Sequence, residues 1–286
     1  MTFSSTPTYF QTMSSAPSST ASTSQPTAPQ PSALPPSSDT SHLPQREKTT
    51  PDATSGSKVK PKRRPLLRLE LRDLSDDGTR AFLRLLHATT ALEDAVDAVL
   101  KHLYTGLKTH CIAPTRSITL VLRSMDGVAY TTGCDIDEDH KEIHLSTNYI
   151  NHVPDSRKKE EIHGVLVHEM VHCWQHNGLG TAPGGLIEGI ADWVRLKAGF
   201  APPHWKRSAD GDWDAGYERT GFFLEWLEAA HGAEIVRKIN DELRGCKYDS
   251  DEFWHKCCGK SVGHLWSEYK SSLGDVDSKQ PDAKCT

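Results

Sequence analysis

Short runs in which apolar and polar residues alternate occupy the first part of the chain's apolar region, the pattern of half-buried β-strands. Leu66–Leu71, which reads LLRLEL, predicts a first strand, and the β-branched, apolar run Ser117–Arg123 predicts a second. A turn at Met125–Gly127 leads into the strand-like run Val128–Thr132, and Glu142–Thr147 alternates again after an acidic loop. These runs together predict a small sheet.

Helical spacing of apolar residues dominates the remainder. Between the first two strands it predicts one long amphipathic helix from Arg80 to Tyr104, with Ser75 as a candidate N-cap. Beyond Asp155 the pattern is helical almost to the end, with Gly, Pro and Asn between the helices. Strands first and helices afterwards predict an α+β domain, a small N-terminal mixed sheet with a long helix followed by a mainly helical half.

Composition divides the chain into three parts. Ser, Thr and Pro make up more than half of residues 1–64, which leaves too few apolar groups to offset the entropy of ordering, so a disordered tail is predicted. Residues 65–275 carry nearly all the large apolar residues and are predicted to form one domain, and residues 276–286 a flexible C-terminus. The run Lys58–Arg64 holds five cations and fits a nuclear localisation signal, a contact with an anionic surface, or a solvated linker.

The charge and the distribution of apolar residues narrow the class of partner. A net charge of −5 argues against nucleic acid. No apolar run reaches the roughly 18 residues of a membrane span. Ser and Thr interrupt every apolar stretch near the N-terminus, so no secretory signal peptide is evident. We expect a monomer in the cytoplasm or nucleus, with secretion by a non-classical route still open.

The motif H-E-x-x-H lies on a helix predicted from Arg157 to Asn177. His168 and His172 are four residues apart, so their rings leave one helix face about 40° apart, as two ligands of one Zn²⁺ require. Glu169 lies about 100° further round the helix, where a general base for a zinc-activated water belongs. Two core histidines at helical spacing are the alternative interpretation of the motif.

A third metal ligand is predicted on the next helix. His176 continues the four-residue series but lies roughly 12 Å along the axis from His168, too far for one ion. The apolar helix predicted from Leu186 to Leu196 carries Glu188 and Asp192 on one face, and buried carboxylates need neutralisation. We therefore predict Glu188 as the third ligand and Asp192 as the partner of a ligand histidine N–H. Acids that pair with Lys or Arg on a surface helix are the alternative.

Two further features concern the substrate. Tyr217 precedes the apolar helix Gly221–Leu227 and is the candidate donor to a tetrahedral oxyanion, although a core role fits equally well. His204 and His231 are weaker candidates for that donor. The strand Gly127–Tyr130 could bind an extended peptide if it forms the sheet edge beside the metal, whereas an inner strand would have its hydrogen bonds already satisfied.

Residues 167–200, which read VHEMVHCWQHNGLGTAPGGLIEGIADWVRLKAGF, resemble the plant basic secretory proteins and their bacterial and fungal relatives, a group regarded as zinc metallopeptidases. Weaker similarity appears in GVAYTTG (127–133), IHLSTNYI (143–150) and Y-x-x-T-G-F-F-L-E-W-L-E (217–228), so that it spans about residues 66–275. This chain departs from the plant members in its mildly acidic charge and in lacking an evident signal peptide. Neither "basic" nor "secretory" is therefore carried over.

The resemblance implies a gluzincin-like zinc peptidase that acts on peptides or proteins, with His168, His172 and Glu188 on the metal and Glu169 as base. The sequence accordingly predicts a zinc metallopeptidase, specifically an endopeptidase. Two other functions remain open, a non-catalytic defence or binding protein stabilised by structural zinc, and a zinc hydrolase of a non-peptide amide. Glu169 favours an enzyme, because a structural zinc site has no need of a base.

Overall fold

A computed structural model describes residues 64–134 and 137–277, with side chains to residue 274. The predicted tail, apart from Arg64, and all but the first two residues of the predicted flexible C-terminus lie outside the described residues. Within the described part of the chain, no helix is both long enough and apolar enough to cross a membrane.

The four strands of the described chain form one mixed sheet. They are β1 (Leu66–Leu71), β2 (Ser117–Arg123), β3 (Ala129–Cys134) and β4 (Asp137–Ser146). Their order is β1-β2-β4-β3, with β1 and β4 parallel to β2, and β3 antiparallel to β4. Strand β3 therefore lies at an edge of the sheet and is not an inner strand, the alternative considered from the sequence.

Helices make up most of the rest. In chain order they are α1 (Asp77–Leu85), α2 (Ala88–Tyr104), α3 (Thr147–His152), α4 (Lys158–His172), α5 (Gly184–Lys197), α6 (Tyr217–His231), α7 (Ile235–Glu242), α8 (Ser250–Cys258) and α9 (Val262–Asp277). The predicted α+β architecture, a small mixed sheet followed by a mainly helical half, is confirmed.

The prediction of a single long helix from Arg80 to Tyr104 is wrong, because the helix is interrupted between α1 and α2. Leu86 has extended backbone angles, and the His87 side chain then accepts a hydrogen bond from the Thr90 N–H as the N-cap of α2. Leu86 stays buried, so the apolar periodicity runs through the break and conceals it. The N-cap of α1 is Asp76, which accepts from two backbone N–H groups, and not Ser75.

Helix α4 ends at His172, five residues before the predicted Asn177. The N–H of Trp174 bonds to Val171 O at 2.9 Å, a three-residue step that tightens the last turn. The N–H of His176 bonds to the Asn240 side chain at 3.1 Å instead of to its own helix. Trp174 remains 1% exposed in the core, which explains why its apolar character resembled a continuation of the helix.

Helix α4 packs against α2, α5 and strand β3. Helix α5 in turn packs against α6. Buried apolar residues of α4 contribute to the core, namely Ile162, Leu166, Val167, Met170 and Val171. Glycines allow α5 and α6 to approach closely. A Cβ at Gly189 would come within 2.3 Å of Thr220 Cγ2, and one at Gly185 within 1.7 Å of Asp214 O. This close packing holds α5, and the acids on it, against α4.

Candidate metal centre

Three side chains from α4 and α5 converge on one point. His168 Nε2 lies 3.3 Å from His172 Nε2 and 3.1 Å from Glu188 Oε2. His172 Nε2 lies 3.7 Å from Glu188 Oε2, and the three ligand atoms all fall within 4.8 Å of one another. The two helices thus bring together the three residues that were predicted as metal ligands.

Asp192 lies one helical turn beyond Glu188 and contacts the other side of the His168 ring. Its Oδ1 is 2.6 Å from His168 Nδ1, and the residue is only 3% exposed. An ionised carboxylate cannot donate, so Nδ1 carries a proton, and Nε2 is the nitrogen of this ring that can offer a lone pair to a metal ion. Three lone-pair-bearing atoms that face one another at these distances fit a cation between them.

The electrostatic environment of the centre favours a positive charge at the three ligand atoms. Burial disfavours the charged form of His168, but the carboxylates of Asp192 and Glu188 outweigh it and raise the pKa of the imidazole to about 10. Burial would likewise raise the pKa of Glu188, yet hydrogen bonds and charge interactions with His168 and His172 hold it well below its usual range. A site that so strongly favours a proton at Nε2 also favours a metal ion there. Two imidazole nitrogens and a carboxylate oxygen are a donor set that suits Zn²⁺.

Glu169 follows the first histidine of the motif, and its carboxylate is held by a residue of β3. The hydroxyl of Thr131 donates to Glu169 Oε2 at 2.7 Å and also lies 3.0 Å from the Glu169 backbone O. Glu169 is 6% exposed, so its carboxylate is fixed by burial and by Thr131, close enough for its charge to act on His168. Thr131 is a residue that sequence reasoning missed. Its only local signal was a place in the block GVAYTTG, because the contact spans 38 residues.

Tyr217, the first residue of α6, lies over the same centre. Its ring stacks on that of His168, with centroids 6.2 Å apart and planes inclined by 14°, and the residue is 39% exposed. Burial, and then the negative charges of Glu188, Asp192 and Glu169, raise the pKa of its hydroxyl. The hydroxyl therefore keeps its proton and remains a hydrogen-bond donor at neutral pH.

The backbone at Tyr217 has a conformation that is unfavourable for a side chain of this size. Its φ is +47°, directly after Gly216 at +87°, and a bulky residue in the left-handed region is strained. The Thr220 hydroxyl accepts from the Gly216 N–H at 3.0 Å and donates to Trp213 O at 2.8 Å. These bonds fix the loop that places Tyr217 over the metal centre.

The other histidines considered from the sequence lie elsewhere. His176 has its Nε2 2.9 Å from Cys111 O. His231 closes α6 at the end opposite Tyr217, about 21 Å away at the rise of an α-helix. His204 occupies an exposed turn after α5. Among the described residues, only His168, His172 and Glu188 form a group that could hold a metal ion.

Comparison with known proteins identifies the family. The model of the family described as BSP, peptidase of plants and bacteria, matches residues 64–269. The match covers most of the 286 residues, and the chain therefore belongs to this family of basic secretory proteins. Searches of curated proteins and of solved structures found no match. Family membership confirms the resemblance noted in the sequence and supports a peptidase at the level of class.

Proposed function

We propose that the protein is a zinc-dependent endopeptidase with a gluzincin-like site. The observation that carries the proposal is the convergence of His168, His172 and Glu188 within 4.8 Å of one another, with Glu169 held beside them by Thr131. A structural zinc site takes four protein ligands, whereas a catalytic site takes three and keeps a position for water. Three ligands and an adjacent, oriented carboxylate favour the catalytic alternative.

Each residue of the centre has a separate task in peptide hydrolysis. Zinc, when bound, lowers the pKa of water and polarises a carbonyl. Glu169 accepts the proton of the attacking water and returns it to the departing amine, while Thr131 keeps its carboxylate in position. Asp192 holds the proton on His168 Nδ1, so that Nε2 remains available as a ligand. Tyr217 donates its hydroxyl proton in a hydrogen bond to the oxyanion of the tetrahedral intermediate.

The substrate binds as an added strand along β3. This strand is at the sheet edge, and Thr131, near its middle, contacts the base. A peptide that pairs with β3 therefore passes Glu169 and continues on both sides of it. An extended substrate with residues on both sides of the scissile bond is what an endopeptidase requires, and this is the reason for preferring that subclass.

The test compares cleavage of a general protein substrate by the wild type, Glu169→Gln and Glu160→Gln, with the zinc content measured for each. Glu160 is exposed in the first turn of α4 and gives the same loss of charge away from the centre. The proposal predicts zinc in all three proteins, cleavage by the wild type and Glu160→Gln, and a loss of at least about a hundredfold in Glu169→Gln. Zinc binding by a wild type that cleaves no protein would favour a binding protein or a hydrolase of non-peptide amides.

A further inference from the structure

The side of strand β3 that faces α4 continues beyond Thr131, the residue that contacts the catalytic base. Thr131 pairs with Ile143, a core residue, and contacts Glu169. Since side chains alternate along a strand, Gly133 has the same facing as Thr131. It lies about 7 Å further along the edge, at the last regular pair before the sheet register shifts.

Gly133 leaves an open gap on that face, and the largely exposed carboxylate of Glu138 lies against it. A Cβ at Gly133 would lie 2.9 Å from Glu138 Oε2 and 3.3 Å from Glu138 Cδ. The gap is therefore large enough to admit a carboxylate group directly against the edge strand. A peptide residue that pairs opposite Gly133 would direct its side chain to this same face.

Lys141 is the cation of this gap. It is the cross-strand partner of Gly133, and its Nζ lies 3.2 Å from Glu138 Oε2.

The two members of this ion pair differ in exposure. The Lys141 side chain is 17% exposed and that of Glu138 is 86% exposed. The cation is thus the fixed member, packed against the protein, and the carboxylate reaches it from solvent. An ion pair whose carboxylate lies in solvent contributes little to stability, so another carboxylate can displace Glu138 easily. No other ion-pair partner of Lys141 is found among the described residues.

We propose that Gly133 and Lys141 form a substrate subsite for an acidic side chain, Asp or Glu, on the peptide residue that pairs opposite Gly133. The subsite rests on the peptidase function proposed above and adds the substrate class that the enzyme prefers. Glu138 occupies it in the absence of substrate and moves into solvent when a substrate carboxylate takes its place on Lys141.

The experiment uses the full-length zinc-loaded protein and a peptide that it cleaves at a mapped bond. Each of the four residues on either side of that bond is replaced in turn by Glu and by Gln, and the ratio of kcat/KM for the two peptides is measured. The proposal predicts one position at which Glu is preferred by about two- to fivefold, the range expected for an ion pair with a partly exposed member. The preference should weaken as salt is added.

Variants then assign the preference to Lys141. At that position Lys141→Met should bring the Glu/Gln ratio to about one, and Lys141→Glu should lower it below one, because two carboxylates repel. Glu138→Gln, on the exposed side of the pair, should raise the ratio because it removes the competing carboxylate. The control Lys159→Glu makes the same charge change at an exposed site on α4 and should keep the wild-type ratio.

The failures of the two proposals are distinguishable. A wild type that cleaves the peptides with a Glu/Gln ratio near one at every position overturns the subsite and leaves the peptidase function intact. A preference that survives in Lys141→Met also overturns it. A zinc-loaded wild type for which no cleaved peptide can be found contradicts the peptidase function, and the subsite falls with it.

Discussion

Replacement of Asp192 by Asn tests whether the contact behind His168 tunes metal binding. Asn retains the shape and a hydrogen-bond acceptor but removes the charge that lies 2.6 Å from Nδ1. The residue is almost fully buried, so solvent does not replace the lost interaction. Changes to a carboxylate that supports a ligand histidine typically cost about ten- to a hundredfold in metal affinity. This corresponds to roughly 1.4–2.7 kcal/mol.

The assay is a competition titration of zinc between the protein and a chromophoric chelator, for the wild type, Asp192→Asn and Asp251→Asn. Asp251 is exposed in the first turn of α8 and provides the same substitution away from the centre. We expect the dissociation constant to rise by about ten- to a hundredfold in Asp192→Asn only. Equal affinity in all three proteins, with Asp192→Asn folded normally, would refute the reasoning about this contact.

Other consequences can be checked with single variants. Thr131→Val should lower kcat about tenfold with KM little changed, because the base loses its orienting hydroxyl; unchanged kcat in a peptide assay would contradict this. Tyr217→Phe should lower kcat by about a hundredfold, the usual loss of one oxyanion donor, with zinc content retained. Gly189→Ala should reduce the free energy of unfolding by about 1–3 kcal/mol, since a Cβ there overlaps a threonine of α6; in the same urea titration Gly184→Ala, which meets open space, should not. Burial, helped by nearby cations, lowers the pKa of His102 from 6.5 to about 4. The unfolded chain therefore binds the proton more readily, and stability should fall as the pH drops from 6.5 towards 4, less steeply in His102→Phe.

The bounds of two strands and the candidate ligand set were accessible from the sequence because their patterns are local. Leu66–Leu71 and Ser117–Arg123 have the predicted bounds, since alternation or β-branched residues mark each strand over its whole length. The spacing of Glu188 and Asp192 put both acids on one helix face, and the structure places both against His168.

The features that were missed depend on contacts between distant segments. Leu86 would be buried whether it ended one helix or continued a longer one. Apolar periodicity therefore cannot reveal the break that follows it. Thr131 reaches Glu169 through the packing of β3 on α4, and Lys141 lies opposite Gly133 through the pairing of β3 with β4. A single threonine or lysine carries no local signal of such a neighbour. The left-handed backbone at Tyr217 directly follows a loop whose residues Asp214 and Gly216 lie against Gly185 of α5, a contact that no local pattern announces.

The central claim is a zinc ion held by His168, His172 and Glu188, and the most direct measurement is metal stoichiometry combined with X-ray absorption at the zinc edge. We predict one zinc per full-length chain, with two nitrogen ligands and one oxygen ligand from the protein at about 2.0–2.2 Å. We also predict that His172→Ala removes the zinc while the chain remains folded. A wild type that holds no zinc when supplied with an equimolar amount, or a zinc ion bound through sulfur, would contradict the account.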